Sequence, residues 1–191
     1  MLAVALRYPS IDPELISISV FGVELALRWY ALAYIAAIAI GWWGMVRLMR
    51  RPALWPGRRA PIAPEAVEGL STWMVLGIII GGRLGFVLFY QPGHYLANPA
   101  EALMLWQGGM AFHGGLAGVA VAAAWFARRR GAALLPLADA LALVTPPGLL
   151  LGRLANFINA ELWGTPSTLP WAMVFPTDPA GVPRHPSQLY E

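Results

Sequence analysis

The sequence predicts an all-α polytopic membrane protein, and three observations carry that prediction. Hydrophobic residues make up 58% of the 191 residues and charged residues only 12%, about half the charged share of a soluble domain. Four apolar segments approach or exceed bilayer length, at about Trp29–Met49, Glu68–Tyr90, Leu103–Ala127 and Leu134–Asn159. The basic residues are thirteen arginines with no lysine, and most of them gather in two of the connecting loops. The expected architecture is at least four transmembrane helices plus the start of another, with a small extracytoplasmic cap of short strands and loops. No internal repeat divides the chain, so 1–191 reads as a single membrane domain.

The elements follow in order. The apolar start "MLAVALRYPSIDP" has no basic region and makes a poor signal peptide. "ISISVFGVELALRW" alternates apolar and polar residues around Gly22, which suits a short hairpin within an extracytoplasmic segment 1–27. The loop after the first apolar segment holds Arg47, Arg50, Arg51, Arg58 and Arg59, and the loop after the third holds Arg128, Arg129 and Arg130. The loop between them, "QPGHYLANPAE", has no arginine. The positive-inside rule therefore puts the arginine-rich loops in the cytoplasm and the N-terminus outside. "TPPG" at 145–148 should break or kink the fourth helix. Beyond residue 160, "LPWAMVF" suits a strand between proline-rich turns in a cap over 161–185, and 186–191 reads as the entry to another helix. Nine tryptophans suit membrane interfaces, and with no cysteine the chain supplies neither a disulfide nor a thiol nucleophile.

Polar residues inside the apolar segments then become informative. At ~1.5 Å per residue, Arg83 and His113 fall roughly 10 Å below the outer boundary and Arg153 roughly 9 Å, with Tyr30 a turn from the outer end of the first helix. An arginine in hydrocarbon costs about 3 kcal/mol on insertion scales, so each needs partners or a purpose. Arg153 and Asn156 share a helical face and can converge on one ligand, with Glu161 and Gly164 capping it from outside. Guanidinium grips phosphate oxygens in a bidentate fashion, so an arginine at this depth points to a phospholipid headgroup. Glycines at 108, 109, 114, 115 and 118 surround His113, leaving room for an imidazole that can act as a base near neutral pH. "GIIIGGRLG" around Arg83 repeats the pattern, and small-residue helix packing accounts for it equally well.

"GRLANFINAELWG" at 152–164 resembles the signature of the prolipoprotein diacylglyceryl transferase family, G-R-x-(G/A)-N-F-x-N-x-E-x-x-G, with every fixed position filled. "RWY" at 28–30, "GGRLGFVLFY" at 81–90, "GGMAFHGG" at 108–115 and "RHPSQLYE" at 184–191 resemble the same family in the same order. The resemblance implies a multi-pass enzyme of the bacterial plasma (inner) membrane that needs no metal or cofactor. Such an enzyme moves the diacylglyceryl group of phosphatidylglycerol onto the lipobox cysteine of a preprolipoprotein signal peptide, releasing glycerol phosphate. Membrane lipids are its surroundings, and nucleic acid is not a partner. The resemblance implies catalytic roles for His113, Arg153 and Tyr30. It implies substrate contacts at Arg153, Asn156, Glu161, Gly164, Asn159, His185 and Tyr190, and at Arg83 either a second anion contact or a structural partner of Glu161. Family members continue beyond "RHPSQLYE" with further helices, so the chain reads as the N-terminal part of such an enzyme. Three other readings are a non-catalytic fragment of that enzyme, a transporter whose arginines guide anionic lipid, and a non-catalytic membrane scaffold.

Overall fold

The computed structural model describes residues 6–20 and 23–190. The expected hairpin turn at Gly22, the apolar start at 1–5 and Glu191 lie outside those residues. The described chain is mostly helical, with two small sheets, and it forms two compact units. The segment up to Gly41 joins Val144 onward in one, and Trp42–Leu143 makes the other.

The first unit begins with β1 (Leu6–Arg7), β2 (Glu14–Val20) and β3 (Val23–Arg28), which leads directly into α1 (Trp29–Met49). Strands β2 and β3 pair antiparallel from Glu14 opposite Arg28 to Val20 opposite Val23, with a bulge between Glu14 and Ile16. This is the hairpin that alternation predicts. The last helix, α5 (Leu134–Ile158), runs through Pro146 and Pro147 without a break. "TPPG" therefore does not end it. Proline's fixed φ is compatible with a helix, and in an apolar setting unwinding would strip more backbone groups of their partners than two prolines do. After α5 the chain forms turns and β4 (Met173–Val174), which lies parallel to β1. Tyr8, Phe157, Ala160 and Phe175 make a small core here, with Trp163 and Met173 against it. The entry to a further helix expected near the end is a single 3₁₀ turn at Ser187–Leu189.

The second unit is built on α2 (Ala66–Phe89) and α4 (Phe112–Arg130), joined through α3 (Pro92–Ala97) and short 3₁₀ turns. Gly77, Gly81 and Gly85 recur every four residues on α2 and meet Gly114 and Gly118 on α4. A Cβ on Gly85 would sit 2.8 Å from the Gly114 Cα, and a Cβ on Gly81 would overlap the Gly114 carbonyl. The helices approach so closely because both surfaces lack side chains there. Small-residue packing is thus what these glycines do.

Among the described residues, three helices are long and apolar enough to cross a membrane: α1, α2 and α5. The third apolar segment differs from expectation. Its first part, from Leu103, forms 3₁₀ turns and a loop, and helix begins only at Phe112. Gly108 and Gly109 have φ of 79° and 82°, which a helix cannot accommodate, so hydropathy carries on through a stretch where backbone geometry does not.

Candidate functional site

The signature segment occupies the last turns of α5 and the reversal that follows. Arg153 and Asn156 lie one turn apart on the same face, Arg153 half-buried and Asn156 buried. The Asn156 Nδ2 donates to the Tyr30 hydroxyl at 3.0 Å and to the Glu161 Oε1 at 2.8 Å. A carboxylate only accepts, so Glu161 fixes which way the amide faces. Tyr30 is placed by the strand-to-helix junction, since β3 ends at Arg28 and α1 starts at Trp29. Its ring also lies 5.3 Å from that of Tyr34. Tyr30, Asn156 and Glu161 thus form one hydrogen-bonded group, with Arg153 on the same helix face.

Glu161 reaches back because the backbone beyond α5 is unusual. Ala160 and Leu162, on either side of it, have φ of 54° and 58°. For residues with a Cβ that conformation costs roughly 1–2 kcal/mol each, so something must hold it. Four side chains from distant parts of the chain bind the carbonyls of this segment. The Tyr8 hydroxyl donates to Phe157 and Ile158, Thr177 to Ala160, Gln188 to Glu161 at 2.6 Å, and Ser187 to Leu162 at 2.9 Å. Burial raises the Tyr8 phenol pKa above its ordinary value, so it remains a donor over the working pH range. Gly164 completes the fit. A Cβ there would lie 3.0 Å from the His185 Cβ and 3.3 Å from the Ser187 Cβ, so glycine is what lets 185–188 come alongside 161–164.

The remaining first-unit residues sit around this reversal. Asn159 is half-buried, its backbone N–H donating to the Ala155 carbonyl at 3.0 Å. Tyr190 is exposed. Its hydroxyl lies 3.2 Å from the His185 Nδ1 and accepts from the Trp171 indole at 2.7 Å. The turns of the cap are fixed by Asp178, which accepts from the Arg184 Nε at 2.6 Å and Nη2 at 3.1 Å, and the same guanidinium stacks 4.0 Å over the Trp163 ring. Hydrogen bonding to Arg184 holds the Asp178 carboxyl below the usual carboxylate range.

In the second unit, Arg83 is buried and its five N–H groups meet five main-chain carbonyls. Its Nε donates to Ala102 at 2.8 Å, Nη1 to Gly108 and Gly109, and Nη2 to Glu101 and Met104. The guanidinium also lies over the Tyr95 ring, and the backbone N–H of Ala111 bonds to the Gly82 carbonyl at 2.9 Å. Arg83 thereby fastens the loop that leads into α4. His113 is the second residue of that helix, exposed, with its ring edge-on to Phe112. It starts a helix and does not lie two turns along one, because α4 begins later than hydropathy suggests.

Sequence reasoning missed Tyr8, Thr177, Ser187 and Gln188. All four act on backbone carbonyls, and such contacts leave no periodicity. The only signal available was that two of them fall within "RHPSQLYE".

The profile of the prolipoprotein diacylglyceryl transferase family matches residues 16–191. Among curated relatives, the phosphatidylglycerol–prolipoprotein diacylglyceryl transferase of Ruegeria pomeroyi is 61% identical over 97% of this chain and 66% of its own length. A protein of the same name from Cereibacter sphaeroides is 56% identical, over 96% of this chain and 65% of its own length. A further one from Cereibacter sphaeroides is 55% identical and is matched over 95% of its length. The chain therefore spans about two thirds of the length of the first two, as 66% and 65% show. A match that takes in the hairpin, the helices and the reversal after α5 makes this chain a member of the prolipoprotein diacylglyceryl transferase family.

Proposed function

We propose that this chain belongs to an enzyme that transfers the diacylglyceryl group of phosphatidylglycerol to the lipobox cysteine thiol of a preprolipoprotein. The names of its relatives support the reaction class. The observation that carries it to this chain is the Tyr30–Asn156–Glu161 group on the face that bears Arg153. In the proposed step the cysteine sulfur attacks the glycerol carbon bonded to the phosphate oxygen. The carbon–sulfur bond forms as the carbon–oxygen bond breaks, the thiol proton passes to His113, and glycerol phosphate leaves with the electron pair. Arg153 holds the phosphate and steadies its growing charge. Asn156 and Glu161 orient the headgroup and Tyr30 bonds at the mouth of the site, while Asn159, Gly164, His185 and Tyr190 border it. We assign Arg83 to holding the loop before His113, because carbonyls meet all of its donors.

The setting is the bacterial plasma membrane, among membrane lipids, with the N-terminus outside and α4 as a fourth span in a single membrane domain. The two arginine-rich loops, and the lack of arginine in "QPGHYLANPAE" and "ELWGTPSTLPWAMVFP", support this orientation. The test is release of glycerol phosphate from phosphatidylglycerol and a lipobox peptide in detergent, by the chain alone and joined to a relative's C-terminal third. Release that Arg153→Ala abolishes is the expected result. No release in either form would reject the reading.

A further inference from the structure

We propose that Gln188 is a positioning residue that sets Glu161, and through it Asn156, for catalysis. The proposal rests on the transferase reading. Gln188 is among the most buried polar side chains described, at 2% exposure. Its Nε2 donates to the carbonyl of Glu161 itself at 2.6 Å, while the Glu161 N–H donates to the Asn156 carbonyl at 3.0 Å. The main chain of Glu161 is therefore held from both sides while its carboxylate accepts from Asn156. With Ala160 and Leu162 both at positive φ, releasing the Glu161 carbonyl would let the reversal relax and carry the carboxylate away from the amide.

A second observation separates a role at the site from one in stability. Among the described residues, the Gln188 Oε1 is buried without a hydrogen-bond partner. A buried unmet acceptor is a penalty, and leucine, of similar size, would fill the position without it. Tyr8, Thr177 and Ser187 tether neighbouring carbonyls, and among the described side chains it is Gln188 that donates to the Glu161 carbonyl.

Gln188→Leu tests this in three measurements beside wild type. The melting temperature should stay within about 3 °C, while kcat/KM for phosphatidylglycerol falls on the order of 10- to 100-fold, as for a catalytic group slightly misplaced. Amide exchange at residues 159–164 should rise several-fold, with α2 unchanged. Combined with Glu161→Gln, the loss should equal that of Glu161→Gln alone, since both act through one carboxylate. Additive losses, exchange that rises throughout the chain together with a large fall in melting temperature, or unchanged exchange at 159–164 would each overturn the proposal. If wild-type protein releases no glycerol phosphate, alone or joined to a relative's C-terminal third, the transferase reading fails, and the exchange result alone decides whether Gln188 sets Glu161.

Discussion

Asn156 has two amide hydrogens, and Glu161 and Tyr30 take both. Asn156→Asp would replace the donor facing Glu161 with a second carboxylate. The two carboxylates would then repel in a half-buried setting, and a lost charge-assisted bond is worth ~1.5–3 kcal/mol, or roughly 10- to 100-fold. Glycerol phosphate release should fall by that much or more, and an activity equal to wild type would remove Asn156 from the site. Asp178 makes a separate prediction in the cap. Arg184 keeps its folded pKa below the unfolded value, so the carboxylate contributes stability above the usual carboxylate range. That stability is lost as pH falls through the lower folded value. Asp178→Asn should lower the melting temperature by several degrees at pH 7, with the gap from wild type closing below about pH 4. A gap that persists unchanged at acid pH would show that packing, not charge, sets the difference.

The α2–α4 pair turns a stripe of absent side chains into a close contact. Gly81→Leu drives a side chain into the Gly114 backbone and should destabilise the second unit by about 1–3 kcal/mol or more, measured by unfolding in detergent. Gly93→Leu, at an open position, should change little. Arg83→Lys keeps the charge but reduces five donors to three, so protease cleavage within 98–111 should speed up several-fold. Much of this architecture is legible in the sequence. Unbroken hydropathy gives α1 its bounds, Trp29–Met49, and alternation gives the β2–β3 hairpin. The start of α4 is not legible, because Gly108 and Gly109 leave the helical region in a stretch that remains apolar. The continuity of α5 through two prolines is not legible either, since it depends on what the freed carbonyls meet.

For the molecule as a whole, the candidate site is legible by residue type and hidden in its means of support. Spacing puts Arg153 and Asn156 on one face and ends the helix before Glu161, but it gives no hint that the chain reverses at positive φ to return the Glu161 carboxylate to Asn156. The tethers come from Tyr8 at one end of the chain and Ser187 and Gln188 at the other, far apart in sequence, and only folding brings them together. The central claim is that this polar end of α5 receives an anionic lipid headgroup. Native mass spectrometry of the purified chain with equal phosphatidylglycerol and phosphatidylethanolamine tests it most directly. The account predicts preferential retention of phosphatidylglycerol by wild type, and loss of that preference in both Arg153→Ala and Asn156→Leu. The same preference in all three proteins would contradict it.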